Sequence, residues 1–161
     1  MSKGYSGYFK GTRGDKASAG STDYMDQNDN FSKFIKNRAD VDVNGFYDVI
    51  AHGSNNSIQI HSNGSQVVID HRSAARLFKN DPLIKGKSIR LLSCETGASA
   101  NGFAQNLANK LNVVVEAPTK LVWAYPDGRY IVADRSSSNP YRPDLSKKGK
   151  FIKFYPGGKK R

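Results

Sequence analysis

The sequence predicts an α/β domain built around a sheet with a parallel centre, and three observations carry that prediction. Two short apolar runs, 46–51 (FYDVIA) and 88–93 (SIRLLS), are each bounded by polar or turn residues, the mark of buried strands. Helical spacing of apolar residues recurs at 71–79 and 98–111, once between those runs and once after them. The resulting order is strand, small meander, helix, strand, helix, strand, which suits parallel strands joined by right-handed crossovers that set the helices on the sheet faces.

The elements follow in order. Residues 1–29 are rich in Gly, Ser and Asp, with Gly4, Gly7, Gly11, Gly14 and Gly20 recurring. They predict loop, a short strand at 5–9 and a join to an upstream segment. Asn30 reads as a helix cap, and Phe31, Phe34 and Ile35 predict a helix over 30–38. The run 46–51 stops at His52-Gly53. Asn55-Asn56 and Asn63-Gly64 are turns around strands at 57–61 and 66–69. Asp70 caps a helix over 71–79 whose inner face is Ala74, Ala75, Leu77 and Phe78; Asp81-Pro82 and Gly86 break it. The strand 88–93 ends at Cys94. In the helix 98–111, Phe103, Ala104, Leu107, Ala108 and Leu111 share a face, and 113–116 is a β-branched strand. Residues 121–125 and 129–133 flank Pro126-Asp127-Gly128, a hairpin signal.

Composition bounds the function. A chain of 161 residues with 37% hydrophobic and 11% aromatic content can build one core, which excludes wholesale disorder. The single Cys excludes an intramolecular disulfide and any multi-cysteine metal site, and a free thiol suits a reducing compartment. No apolar run is long enough to span a bilayer, and the polar first residues predict no signal peptide. The net charge of +11 is unevenly spread. Residues 1–39 carry seven basic and four acidic groups, 40–134 carry nine of each, and 135–161 carry nine basic groups against Asp144. This predicts a polar N-terminal segment with a short helix (1–39), a neutral folded domain (40–134) and a basic C-terminal tail (135–161). Contact with nucleic acid is expected only through that tail, which also reads as a solubilising terminus or one suited to translocation.

Two strands end in reactive residues, His52 and Cys94. In a parallel sheet both carboxyl ends lie on one edge, where ligands collect. If the strands are neighbours, about 5 Å apart, imidazole and thiol become hydrogen-bonding neighbours over that edge. Imidazole activates a thiol by taking its proton, or the pair rests as thiolate and imidazolium. Gly53, lacking a Cβ, lets a substrate carbonyl approach its N–H, and that amide with the Cys94 amide makes an oxyanion hole. Taken singly, a Cys or a His at a strand end reads as a core residue; together they read as a dyad.

The string VIAHGS at 49–54, followed by IRLLSCETG at 89–97, resembles the His-Gly and Ser-Cys signatures of caspase-like cysteine peptidases. That group includes caspases, gingipains, separases and the self-processing protease domains of large bacterial toxins. The Cys-Glu-Thr-Gly piece is similar to the CHAT branch. The string GFAQNLANKLNVVVEAPTKLVWAYPDG at 102–128 looks like caspase-like domains at the carboxyl ends of bacterial polymorphic toxins. The resemblance covers about 46–133. It implies a caspase-like three-layer sandwich of reduced size with a mostly parallel sheet. It also implies a cysteine endopeptidase with no cofactor and no required third acid, His52 as base, Cys94 as nucleophile, and the Gly53 and Cys94 amides on the oxyanion. A protein substrate, a cognate immunity protein, and secretion or delivery within a larger toxin to a target-cell cytoplasm follow from it. Leu92 stands where the metacaspase branch has an Asp that reads basic residues, so that specificity does not transfer. Ser54, Glu95 and Trp123 are substrate-binding candidates by topology.

Two other classes stay open: a nuclease toxin, and a non-catalytic caspase-like binding module. His61 and His71 beside Asp70 lack metal-ligand spacing and read as surface groups. A nuclease would leave Cys94 without a purpose and set a neutral core against a polyanion. Gly45, Gly53 and Gly64 match no nucleotide-binding fingerprint.

Overall fold

The computed structural model describes residues 20–41 and 45–157. The strand expected at 5–9 lies outside them. The fold is mixed α/β. Its centre is a five-stranded sheet formed by β1 (Ser21–Asp23), β2 (Tyr47–Ile50), β6 (Ile89–Leu92), β7 (Val115–Pro118) and β11 (Phe151–Phe154), in the order β1-β2-β6-β7-β11. The first four strands run parallel; β11 pairs antiparallel with β7, making the sheet mixed.

Two small antiparallel sheets flank it. One joins β3 (His52–Gly53), β4 (Ile58–Ser62) and β5 (Ser65–Ile69). The apolar run 46–51 therefore does not belong to the meander; the chain leaves the main sheet at Ala51 and enters a separate ribbon. The other joins β8 (Leu121–Ala124), β9 (Tyr130–Arg135) and β10 (Pro143–Lys148). Its β8–β9 hairpin turns at Pro126-Asp127-Gly128, where Gly128 takes φ +94° and a Cβ would fall 2.1 Å from the Asn37 carbonyl carbon.

The α2 helix (His71–Lys79) and the α3 helix (Phe103–Leu111) lie on the same sheet face. Their Ala74, Ala75, Phe78, Phe103, Ala104, Leu107 and Ala108 pack on Tyr47, Val49, Ile89, Leu91, Val115 and Ala117. Asp70 caps α2 through Ser73 N–H. The second helix starts later than its spacing suggests: residues 98–102 are turns, and the chain becomes helical only after Gly102. The opposite face is covered by the six-residue α1 helix (Asn30–Ile35) and the β8–β9 hairpin, with Met25, Ile35, Ile50 and Leu92 buried between. The cap of α1 is Asp29 rather than Asn30, and the helix stops short of 38.

Charged residues inside both apolar strands face that second side. Asp48 and Arg90 are register partners. The Asp48 carboxylate accepts from Arg38 at 2.6 Å and 3.1 Å and from Arg90 at 2.6 Å and 2.7 Å. Arg90 also donates to Asp40 and to the Tyr130 hydroxyl, and Tyr130 donates to Asp40. Burial alone would raise the Asp40 pKa, but bonds from Arg90 and Tyr130 and the nearby guanidinium charges hold it below the usual carboxylate value.

The basic stretch expected as a tail is folded over its described length. β10 pairs with β9, and β11 completes the central sheet with Phe154 buried in the main core. The mostly apolar Phe151-Ile152-Lys153-Phe154 supplies a strand that the surrounding lysines mask in a charge count. Among the described residues no helix is long and apolar enough to cross a membrane.

Candidate functional site

The β2 and β6 strands are paired in parallel with Ile50 opposite Leu92, and Ala51 N–H extends the ladder to the Leu92 carbonyl. Two residues beyond that last pair stand His52 and Cys94. Both side chains wall one cavity of about 260 Å³. Phe31 and Phe34 of α1 line one side, with Asn30; Val122, Trp123 and Ala124 of β8 line the other, and Ala51 completes the wall. The Asn37 amide donates to the Pro126 carbonyl at 3.0 Å, tying the end of α1 to the hairpin tip, so the two walls are fixed to each other.

The turn that carries Cys94 is tightly held. Thr96 Oγ1 donates to the Ser93 carbonyl at 2.9 Å, and Glu95 N–H and Gly97 N–H donate to the carbonyls of Lys120 and Pro118 at 3.0 and 2.9 Å. Glu95 sits at φ +61°, a left-handed backbone that non-glycine residues seldom adopt. Such strain persists only where the surroundings over-determine it, and here it bends the chain away immediately after Cys94. Gly53 packs against this turn: a Cβ there would lie 2.8 Å from Thr96 Cγ2 and 2.9 Å from the Cys94 carbonyl oxygen. Glycine is thus required by the neighbouring turn itself.

His52 and Cys94 share the cavity, yet no hydrogen bond joins them among the described residues. This corrects the expectation of directly bonded neighbours. His52 Nε2 lies 2.8 Å from Asp29 Oδ2, and the Phe31 ring is 6.5 Å from the imidazole. A carboxylate only accepts, so Nε2 carries a hydrogen, and in the neutral imidazole the lone pair is then on Nδ1. Cys94 Sγ bonds the Val122 peptide, accepting its N–H at 3.3 Å and facing its carbonyl oxygen at 3.9 Å. Burial pushes the thiol pKa up, with Glu95 adding to the rise; the Val122 amide and the Arg135 charge oppose it. Burial thus works against the thiolate–imidazolium rest state.

Of the substrate-binding candidates, Trp123 lines the cavity. Its Nε1 donates to the Ala133 carbonyl at 3.1 Å, and the Arg135 guanidinium stands 5.5 Å from its ring. Ser54 and Glu95 are not among the lining residues. Ser54 bonds Ser57 and Asn56 within the β3–β4 turn, and Glu95 is exposed. His61 meets Gln66 across the β4–β5 ribbon, and among the described residues no group of three His, Cys, Asp or Glu is placed to hold a metal. Asp29 is the residue that sequence reasoning missed. Its signal is a capping Asp just before Asn30, since a cap residue has a second carboxylate oxygen to spare.

A family model matches residues 20–132, about 70% of the chain. The chain belongs to DUF8616, described as a domain of unknown function. No curated protein and no solved structure matches it. Every residue lining the cavity, and Asp29, falls inside the DUF8616 match.

Proposed function

We propose that this DUF8616 chain is a cysteine endopeptidase in a reduced caspase-like frame, with Cys94 as nucleophile and His52 as base. The observation that supports this reading is the pairing of β2 with β6, which brings both residues to one carboxyl edge and one cavity. His52 Nδ1 takes the thiol proton as Sγ attacks a substrate carbonyl, forming a tetrahedral oxyanion that the Gly53 and Cys94 amides stabilise. The intermediate collapses as the C–N bond breaks, and the imidazolium returns its proton to the leaving amine. Water then attacks the thioester, giving up a proton to His52. As the C–S bond breaks, His52 returns that proton to the sulfur, and the acyl group leaves as a carboxylic acid that ionises to solvent. Because burial opposes the thiolate, we take proton transfer to accompany attack. Asp29 holds the imidazole in the tautomer this requires, a third member that the caspase-like resemblance did not call for.

We place the domain as the toxic effector of a polymorphic toxin, delivered within a larger protein and opposed by an immunity protein whose acidic surface would suit the basic C-terminal strands. Mapping of new protein termini in cells expressing wild type or Cys94→Ala tests the activity. New termini that vanish in the variant, with folding intact by circular dichroism, support the peptidase. Toxicity retained in Cys94→Ala ends it, and degraded nucleic acid without new termini would put the nuclease reading in its place.

A further inference from the structure

We infer that the cavity beside Cys94 receives the side chain of the residue whose carbonyl is attacked, and that it selects an uncharged apolar side chain of leucine or phenylalanine size. This rests on the peptidase reading and adds the substrate class to it. The walls are aromatic and aliphatic: Phe31 and Phe34 on α1 face Val122, Trp123 and Ala124 on β8. Apart from His52 and Cys94 themselves, none of the described lining residues is ionisable, and the nearby Asp29 carboxylate is taken up by His52 Nε2 and Phe31 N–H. A carboxylate or ammonium entering here would trade water for walls with no charge set aside to match it. Arg135, whose charge lowers the Cys94 pKa, already has partners: its guanidinium lies over the Trp123 ring and donates to the Pro140 carbonyl at 2.5 Å.

Size narrows the choice further. The cavity holds about 260 Å³. A dry cavity of about 150 Å³ accepts benzene, and whole small-molecule ligands take about 300 Å³ or more. One large side chain fits the volume, whereas a long acyl chain does not.

The test uses the full chain and four peptidyl acyloxymethyl ketones that differ only in the residue next to the ketone: Leu, Phe, Asp or Lys. Sγ forms a thioether with the ketone methylene as the carboxylate leaves, and the thiol proton passes to solvent through His52. Intact mass follows the adduct. The Leu and Phe reagents are expected to react at least about tenfold faster than Asp and Lys. Ala124→Phe should cut the Leu rate by at least about tenfold, while iodoacetamide, too small to need the pocket, still labels Cys94. Should that variant fail to fold, Phe34→Ala gives the same answer by favouring Phe over Leu. An Asp or Lys reagent reacting as fast as Leu, in a reaction lost in His52→Ala, overturns the pocket and leaves the dyad standing. Failure of all four reagents where iodoacetamide labels Cys94 overturns the peptidase reading, and the pocket falls with it.

Discussion

Asp29 serves two masters, since its Oδ2 stands 2.8 Å from His52 Nε2 while its Oδ1 accepts the Phe31 N–H at 2.8 Å. One carboxylate thus starts the helix that walls the cavity and fixes the imidazole that faces it. The two tasks separate by substitution. Asn caps a helix about as well as Asp, so Asp29→Asn should keep the melting temperature yet weaken hold on the Nε2–H tautomer. We expect ketone labelling of Cys94 to slow by at least about tenfold, short of the roughly 10⁴-fold loss that follows when a buried triad carboxylate is neutralised, because Asp29 is partly exposed. Asp29→Ala should lose about 1 kcal/mol of stability as well. Equal labelling rates in wild type and Asp29→Asn would reduce Asp29 to a cap.

The thiol makes a second prediction. The thiolate is the species alkylated, and burial raises the Cys94 pKa. Iodoacetamide labelling of the folded protein should therefore climb with an inflection above the free-thiol value of about 8.5. Glu95→Gln should lower that inflection and Arg135→Ala should raise it, since the first removes an opposing charge and the second a supporting one. An inflection well below 8.5 would mean that the pair rests ionised after all. Rates measured by quenched-flow mass spectrometry across pH decide between the two.

A third prediction concerns the buried ion network. Asp48 is the shared acceptor of Arg38 and Arg90, and all three are almost wholly buried. Asp48→Asn leaves the buried Arg38 guanidinium with no counter-charge and Arg90 with Asp40 alone, at a cost of about 3–5 kcal/mol. Urea unfolding should register that as a lower midpoint with an unchanged slope. Asp40 adds a pH dependence of known sign. Its folded pKa is depressed, so its contribution is present above the unfolded value of about 3.9 and is lost as pH falls through the folded value. Asp40→Asn should flatten the acid limb of the stability curve.

Much of the fold was legible because buried strands advertise themselves. FYDVIA and SIRLLS are short, apolar and bounded by polar residues, and they do pair in the sheet. The charges inside them, Asp48 and Arg90, carry a message that a strand-by-strand reading misses: opposite charges at matching offsets in two buried runs call for each other across the ladder. The site was legible as far as its two strand-end residues. Its remaining parts come from elsewhere in the chain. Phe31 and Phe34 read as a helix face, and Val122 and Trp123 as half a hairpin; only tertiary packing turns those two faces into opposite walls. Asp29 sits in a polar run, Asp26-Gln27-Asn28-Asp29-Asn30, where its place before the helix marks a cap but nothing local marks a partner for His52.

The position of β11 has a practical consequence for anyone trimming this chain. The DUF8616 match stops at residue 132, before β10 and β11 begin. A fragment cut there would keep every cavity residue but strip the outer partner from β7, baring its ladder and emptying the slot that Phe154 fills. A naked strand edge next to an uncovered apolar hole is a template for self-association. Recombinant versions should therefore run at least through Phe154, well past the point where sequence similarity fades.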